Sequence, residues 1–144
     1  MKEQNYSNHR RFVALFHVVT FPMIILMIVS SVYYTISAAS QGASMKLWLF
    51  FLIISLSLLF VFFFARSFSL KAQDRAIRAE ENFRHYILTG KPIDSRLTIR
   101  QIIGLRFASD EEFVELAKSA AEKGTAEEDI KKSIKHWRAD NYRV

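Results

Sequence analysis

Between Phe12 and Ala65 the chain carries a single formal charge, Lys46. That gap in charge constrains the fold more than any other feature. Within it, Leu47–Ala65 reads LWLFFLIISLSLLFVFFFA, with Ser55 and Ser57 its only polar side chains. A helix crosses the hydrocarbon core of a bilayer with about 20 apolar residues. Serine hydrogen-bonds its own helix backbone, so neither hydroxyl is expensive in lipid. The sequence therefore predicts a membrane-spanning helix over about 47–65 and an earlier one over about 21–39. Thr20 would cap the earlier span, and Pro22 is tolerated in a first turn, where its missing N–H costs nothing. Phe12–Val19 is then either an interfacial segment or an earlier helical piece joined through a kink at Pro22.

Ser40-Gln41-Gly42-Ala43-Ser44 is too short a link for anything but an antiparallel hairpin. Arg10 and Arg11 flank the first span, and Arg66, Lys71 and Arg75 flank the second, whereas the loop end holds only Lys46. The positive-inside rule places both termini in the cytoplasm. Tyr33, Tyr34 and Trp48 fall near the loop end, where amphipathic rings favour the lipid–water interface. The apolar stretch is longer than a signal-peptide core, and a second span follows Ser37-Ala38-Ala39-Ser40 at once, so the first span is read as retained. His17 is read as an interfacial ring; an intramembrane role is the alternative. A pore would need a polar or small-residue stripe, and the second span carries Leu and Phe on every face.

After Arg66 the chain changes character. The net charge of +6 divides evenly between the first 65 residues and the rest. This spread suits a surface near anionic headgroups and is too diffuse to imply nucleic-acid binding by itself. No Gly or Pro interrupts Arg66–Thr89, so the second span is expected to continue as a juxtamembrane helix until Gly90 and Pro92 end it. Asp74–Arg78, Glu80–Arg84 and Glu81–His85 have the favourable i,i+4 orientation. On this helix Ala65, Ser69, Ala72, Ala76, Ala79, Phe83 and Tyr86 recur at alternating steps of four and three. That is a coiled-coil stripe of small residues closing in two aromatics, a face that lets another backbone come close. The alternative is a solvated helix whose alanines are there for propensity.

Three shorter helices are expected next. Thr98–Gln101, Ser109–Glu112 and Thr125–Glu128 each fit the capping-box pattern, and Gly124 separates the last two helices. Phe113, Leu116, Ala117 and Ala120 make one apolar face, and Ile130, Ile134 and Trp137 another. With Ile102, Ile103, Leu105 and Phe107 they form a small core, completed by Phe83 and Ile87.

The start Glu3-Gln4-Asn5-Tyr6 with Asn8-His9-Arg10-Arg11, the runs LKAQDRAIRAEENFRHYILTGKPID and LTIRQIIGLRFASDEEF, and the ending IKKSIKHWRADNYRV carry a resemblance over nearly the whole chain. The chain resembles a family of small bacterial membrane proteins catalogued as domain of unknown function 6526. The resemblance implies a bacterial inner-membrane protein and implies no activity.

Chemistry is hard to place on these residues. The chain has no cysteine, which excludes disulfides and thiolate catalysis. His9, His85 and His136 have no companion at metal-ligand spacing. The acidic groups at 110–112 and 127–129 sit in first helical turns, where the helix dipole favours acid. Neither a cofactor nor a catalytic site is expected. Lys131, Lys132, Lys135, His136 and Arg138 make the last helix basic on its polar side; the choice is between a nucleic-acid surface and a solvated helix end.

The expected fold is thus an all-α membrane protein. It has an N-terminal segment (1–11), a transmembrane hairpin (12–66), a juxtamembrane helix (67–90) and a small cytoplasmic bundle of three short helices (91–144). The expected role is a non-enzymatic accessory or scaffold subunit. Its partners would be the lipid bilayer and another integral membrane protein, or itself as a homo-oligomer. A membrane-tethered module contacting nucleic acid or the ribosome is the alternative, and a homo-oligomeric channel a second one.

Overall fold

The structure is a computed structural model and describes residues 4–9 and 12–140. Arg10 and Arg11 of the basic flank, and Arg143, lie outside the described residues. Among those residues the chain is helical: a π-helical stretch Leu15–Thr20, then α1 (Phe21–Ser40), α2 (Lys46–Thr89), α3 (Ile99–Leu105), α4 (Asp110–Lys123) and α5 (Glu127–Ser133). It divides into two units, Arg11–Phe68 and Met1–Arg10 with Ser69–Val144. Two helical stretches, Leu15–Ser40 and Lys46–Thr89, are long and apolar enough to cross a membrane.

In the first unit α1 and α2 run antiparallel. Phe16 stacks on Phe62 at 4.0 Å and Tyr34 on Trp48 at 4.5 Å, between ring centroids. The least exposed positions trace one stripe on each helix: Ile24, Ile28, Ser31, Thr35 and Ala38 on α1, and Trp48, Leu52, Ser55, Leu59 and Phe62 on α2. Each runs at alternating steps of four and three, the spacing that keeps one helix face against another. Ser55 is fully buried, and its hydroxyl donates to the Phe51 carbonyl at 2.8 Å. Ser31 does the same to Met27 at 2.7 Å. These small hydroxyls occupy a helix contact without leaving a polar group unsatisfied.

Thr20 is not a helix cap. It is itself helical (φ −65°, ψ −46°), and its hydroxyl donates to the Leu15 carbonyl at 2.9 Å. The helix begins before it, in the π-helical stretch, and passes into α1 without a break. The reason lies in Pro22, which has no N–H for the carbonyl a turn back and whose ring crowds it. A wider π turn immediately before it relieves that clash.

In the second unit α3, α4 and α5 close over Ile77 of α2. The core is Ile77, Leu97, Ile102, Ile103, Leu105, Phe107, Ala108, Phe113, Ala117, Ala120, Ile130 and Ile134, with Leu116 and Trp137 packed against it. Phe107 and Phe113 are wholly buried, each burial stabilising by roughly 1.5–3 kcal/mol. Phe83 and Ile87 do not complete this core: they are 65 % and 66 % exposed. Ile77 takes their place because the bundle packs on a different face of α2. Gly104 lets α3 approach α5, since a Cβ there would meet the Glu127 carbonyl at 3.1 Å and Ile130 Cγ2 at 3.3 Å.

One of the three capping boxes forms. The Thr98 hydroxyl accepts from the Gln101 amide at 3.3 Å, and Gln101 Oε1 accepts from the Thr98 amide at 2.9 Å. At α4, Ser109 is the N-cap without a side-chain cap bond. Its intended partner Glu112 instead accepts from the amides of Lys135 (3.1 Å) and His136 (2.9 Å). At α5 the N-cap is Ala126, and the Thr125 carbonyl accepts from Gln101 Nε2 at 3.0 Å. Gly90 and Gly124 end α2 and α4 as expected, both with positive φ (71° and 65°) that suits glycine.

Candidate docking surface

Helix α2 presents two contrasting faces within the second unit. The inner face is fastened to the bundle by Arg84. Its guanidinium binds Glu81 at 3.0 Å and Asp110 at 2.6 Å, donates to the Ala108 carbonyl at 2.7 Å, and lies 4.3 Å from the centroid of Phe113. Glu81 is 5 % exposed, so its charge depends on these partners. Further along, Asn82 Oδ1 accepts from the Ile93 amide at 2.9 Å, and His85 Nδ1 lies 2.8 Å from the Lys91 carbonyl. The i,i+4 partners Glu80 and His85 are thus not the ones used: Arg84 turns to Glu81 and Asp110, and His85 turns to the chain after Gly90.

The outer face is the small-residue stripe. All seven of its residues, Ala65, Ser69, Ala72, Ala76, Ala79, Phe83 and Tyr86, are exposed. Phe83 and Tyr86 are 65 % and 55 % exposed, and Ile87 extends the apolar patch beside them. At 100° per residue this face lies roughly 145° around the helix from Ile77, Glu81 and Arg84. Nothing in the second unit covers it.

The basic residues are not gathered on one helix face. Helix α5 ends at Ser133, and Ile134 is extended (ψ 123°). Lys135, His136 and Arg138 lie on the extended segment that follows, where Ala108 and Trp137 form a β-bridge. Lys131 is 6 % exposed and bound to Glu127 at 2.6 Å. Lys132 lies 3.8 Å from Asp129 and Arg138 3.9 Å from Glu81.

Two features have no clear signal in the sequence. The first is the docking of the N-terminal segment on the bundle. Tyr6 donates its hydroxyl hydrogen to Glu128 at 2.8 Å, and the Asp140 amide donates to Gln4 Oε1 at 2.7 Å. The His9 ring is 6 % exposed, with its centroid 5.8 Å from those of Phe107 and Trp137. The short runs that carry the family resemblance at either end of the chain therefore meet in one unit. The second is a cavity of about 120 Å³ lined by Gln73, Glu80, Glu81, Arg106, Arg138 and Asp140. Arg106 is 9 % exposed. Asp140 stands 3.2 Å from its Nη1, yet not along an N–H, so Nη1 and Nε make no hydrogen bond. Burial lowers the pKa of Arg106 and the Asp140 charge opposes this. Carboxylates outnumber guanidinium groups around the cavity, an arrangement that disfavours an anion there. Among the described residues no group of three or more His, Asp or Glu side chains is placed to hold a metal ion.

The model of a family described as a family of unknown function (DUF6526) matches residues 1–144. No curated protein and no solved structure matches the chain.

Proposed function

We propose that this chain, which belongs to that family of unknown function, is a non-enzymatic accessory or scaffold subunit of the bacterial inner membrane. In this reading α1 and the apolar part of α2 span the bilayer, and both termini are cytoplasmic. The outer face of α2 and the hairpin dock onto a larger membrane assembly. The observation that carries the reading is the exposed stripe Ser69–Ala72–Ala76–Ala79–Phe83–Tyr86 on a helix whose opposite face is already fastened. Solvent-exposed aromatics on a continuous helix face mark an interaction surface more often than an inert one. The packing of Tyr6 and His9 in the same unit as Phe107 and Glu128 supports placing both ends of the chain on one side.

Support for the nucleic-acid reading is weaker. It needs a coherent basic face to neutralise phosphates, and Lys131 is committed to Glu127 inside the unit.

The test combines topology with retention. Cysteines introduced one at a time at Ser7, Gly42 and Lys118 should label from outside the cell only at Gly42. External labelling at Lys118 would contradict the orientation. Ala72→Leu and Ala76→Leu should release co-purifying membrane protein, or the protein's own oligomer, in mild detergent; Lys71→Ala and Arg78→Ala should not. Leucine variants that retain every partner would remove the docking role from this face.

A further inference from the structure

We propose that the occupant of the outer face of α2 is a second copy of the same chain, packed parallel and in register along Ser69–Tyr86. The inference rests on the docking reading above and names its partner. A seam that repeats every 3.5 residues packs continuously against a seam of the same period. A second copy presents that period residue for residue. In heptad terms Ser69, Ala76 and Phe83 hold one core position, and Ala72, Ala79 and Tyr86 the other. Small residues over the first four of these allow two backbones to approach closely. The exposed rings of Phe83 and Tyr86 would then close the contact, with Ile87 at its edge.

Direction follows from the membrane. Two copies inserted the same way carry α2 in the same direction, so the pair is parallel.

The flanking charges fit that arrangement. Arg75 lies along one edge of the stripe and Glu80 along the other, five residues on. This is the separation at which flanking residues face each other across a parallel, in-register coiled coil. Arg75 of each copy would meet Glu80 of the other, and symmetry makes the pair twice. An antiparallel pair would set like edges together, arginine toward arginine. Both side chains are exposed, and neither is used in an ion pair or hydrogen bond of its own chain. Most other charges of α2 in this unit lie outside the two edges; Glu81 and Arg84 are turned inward and already paired.

The experiment uses the full-length chain in mild detergent and in lipid nanodiscs. The chain has no cysteine of its own, so Ala76→Cys supplies a single thiol in the seam, and oxidation should link two copies efficiently. Lys71→Cys, off the seam, should link them poorly. Arg75→Glu alone and Glu80→Arg alone should each weaken dimerisation roughly tenfold, as two exposed pairs turn repulsive. The double variant Arg75→Glu with Glu80→Arg should restore the parent dimer, which a merely misfolded protein would not do. Monomeric parent protein at every concentration, or a double variant no better than the singles, overturns the proposal. If the parent is monomeric yet a different membrane protein is retained and lost on Ala76→Leu, the docking reading stands and the second copy is not the occupant. If Ala76→Leu affects neither, both readings fall.

Discussion

Replacing Arg84 by Met tests whether one side chain fastens the bundle to α2. Methionine keeps most of the apolar length that lies over Phe113 and removes the charge. Glu81, with its side chain 6 % exposed, would keep only Arg138 nearby, at 3.9 Å and itself more than half exposed. The Ala108 carbonyl would lose its 2.7 Å donor. Removing one partner of a buried ion pair costs roughly 3–5 kcal/mol. The residual attraction of Arg138 argues for the lower end, about 3 kcal/mol, which is roughly a hundredfold in an opening equilibrium. The assay is hydrogen exchange of the full-length protein in mild detergent. Amides of α3, α4 and α5 should exchange about two orders of magnitude faster, while those of α1 should not change. Replacing both partners, Glu81→Leu with Arg84→Met, should recover most of the loss, because no charge is then left buried. A single variant that exchanges like the parent, or a double variant worse than the single, would refute the assignment of Arg84 as the fastener.

Gly104→Ala should destabilise the bundle despite alanine's better helix propensity. Its Cβ would press on the Glu127 carbonyl at 3.1 Å, at a net cost of about 1–2 kcal/mol, and thermal unfolding followed by circular dichroism should show a lower midpoint. The Asp94 carboxyl is held down to about 2 by its hydrogen bonds from Arg96. Its pKa is depressed on folding, so its contribution is intact above the ordinary value of 3.8 and is lost as pH falls through about 2. A carboxyl-carbon titration by NMR should place the Asp94 midpoint well below those of the exposed acids, and Arg96→Gln should return it toward the ordinary value.

Where the sequence speaks through local chemistry, the expected elements stand. The two apolar runs, the stops at Gly90 and Gly124, and the apolar faces of α3, α4 and α5 each depend on neighbours within a turn or two. The departures come from partners far along the chain. Glu112 leaves its capping box because two free amides at Lys135 and His136 offer it better use, 23 and 24 residues away. Helix α5 stops at Ser133, short of Trp137, because Arg138 donates its amide to the Phe107 carbonyl at 2.7 Å and holds the segment extended. The bundle settles on Ile77, whose hydrophobicity is no greater than that of Phe83 or Ile87. What selects it is the position of Glu81 and Arg84 on the same face, a pairing completed only when Asp110 arrives. The contact stripe of α1 and α2 was hidden for a different reason. In a segment where nearly every residue is apolar, hydropathy has no contrast, and only the phase of Ser31, Ala38 and Ser55 marks the inner side.

The π-helical stretch before Pro22 gives the chain a tolerance for insertions and deletions that is confined to one place. A π turn holds one residue more than an α turn needs. Losing a residue between Leu15 and Thr20 would convert it to ordinary α-helix, and the change would end there, leaving Ile24, Ser31 and Ala38 in phase with one another. The same deletion inside α1 finds no slack. Everything beyond it would turn by about 100°, and one end of the stripe would leave the face it shares with α2. The length of this helix is thus free to drift at its beginning and is pinned through its middle.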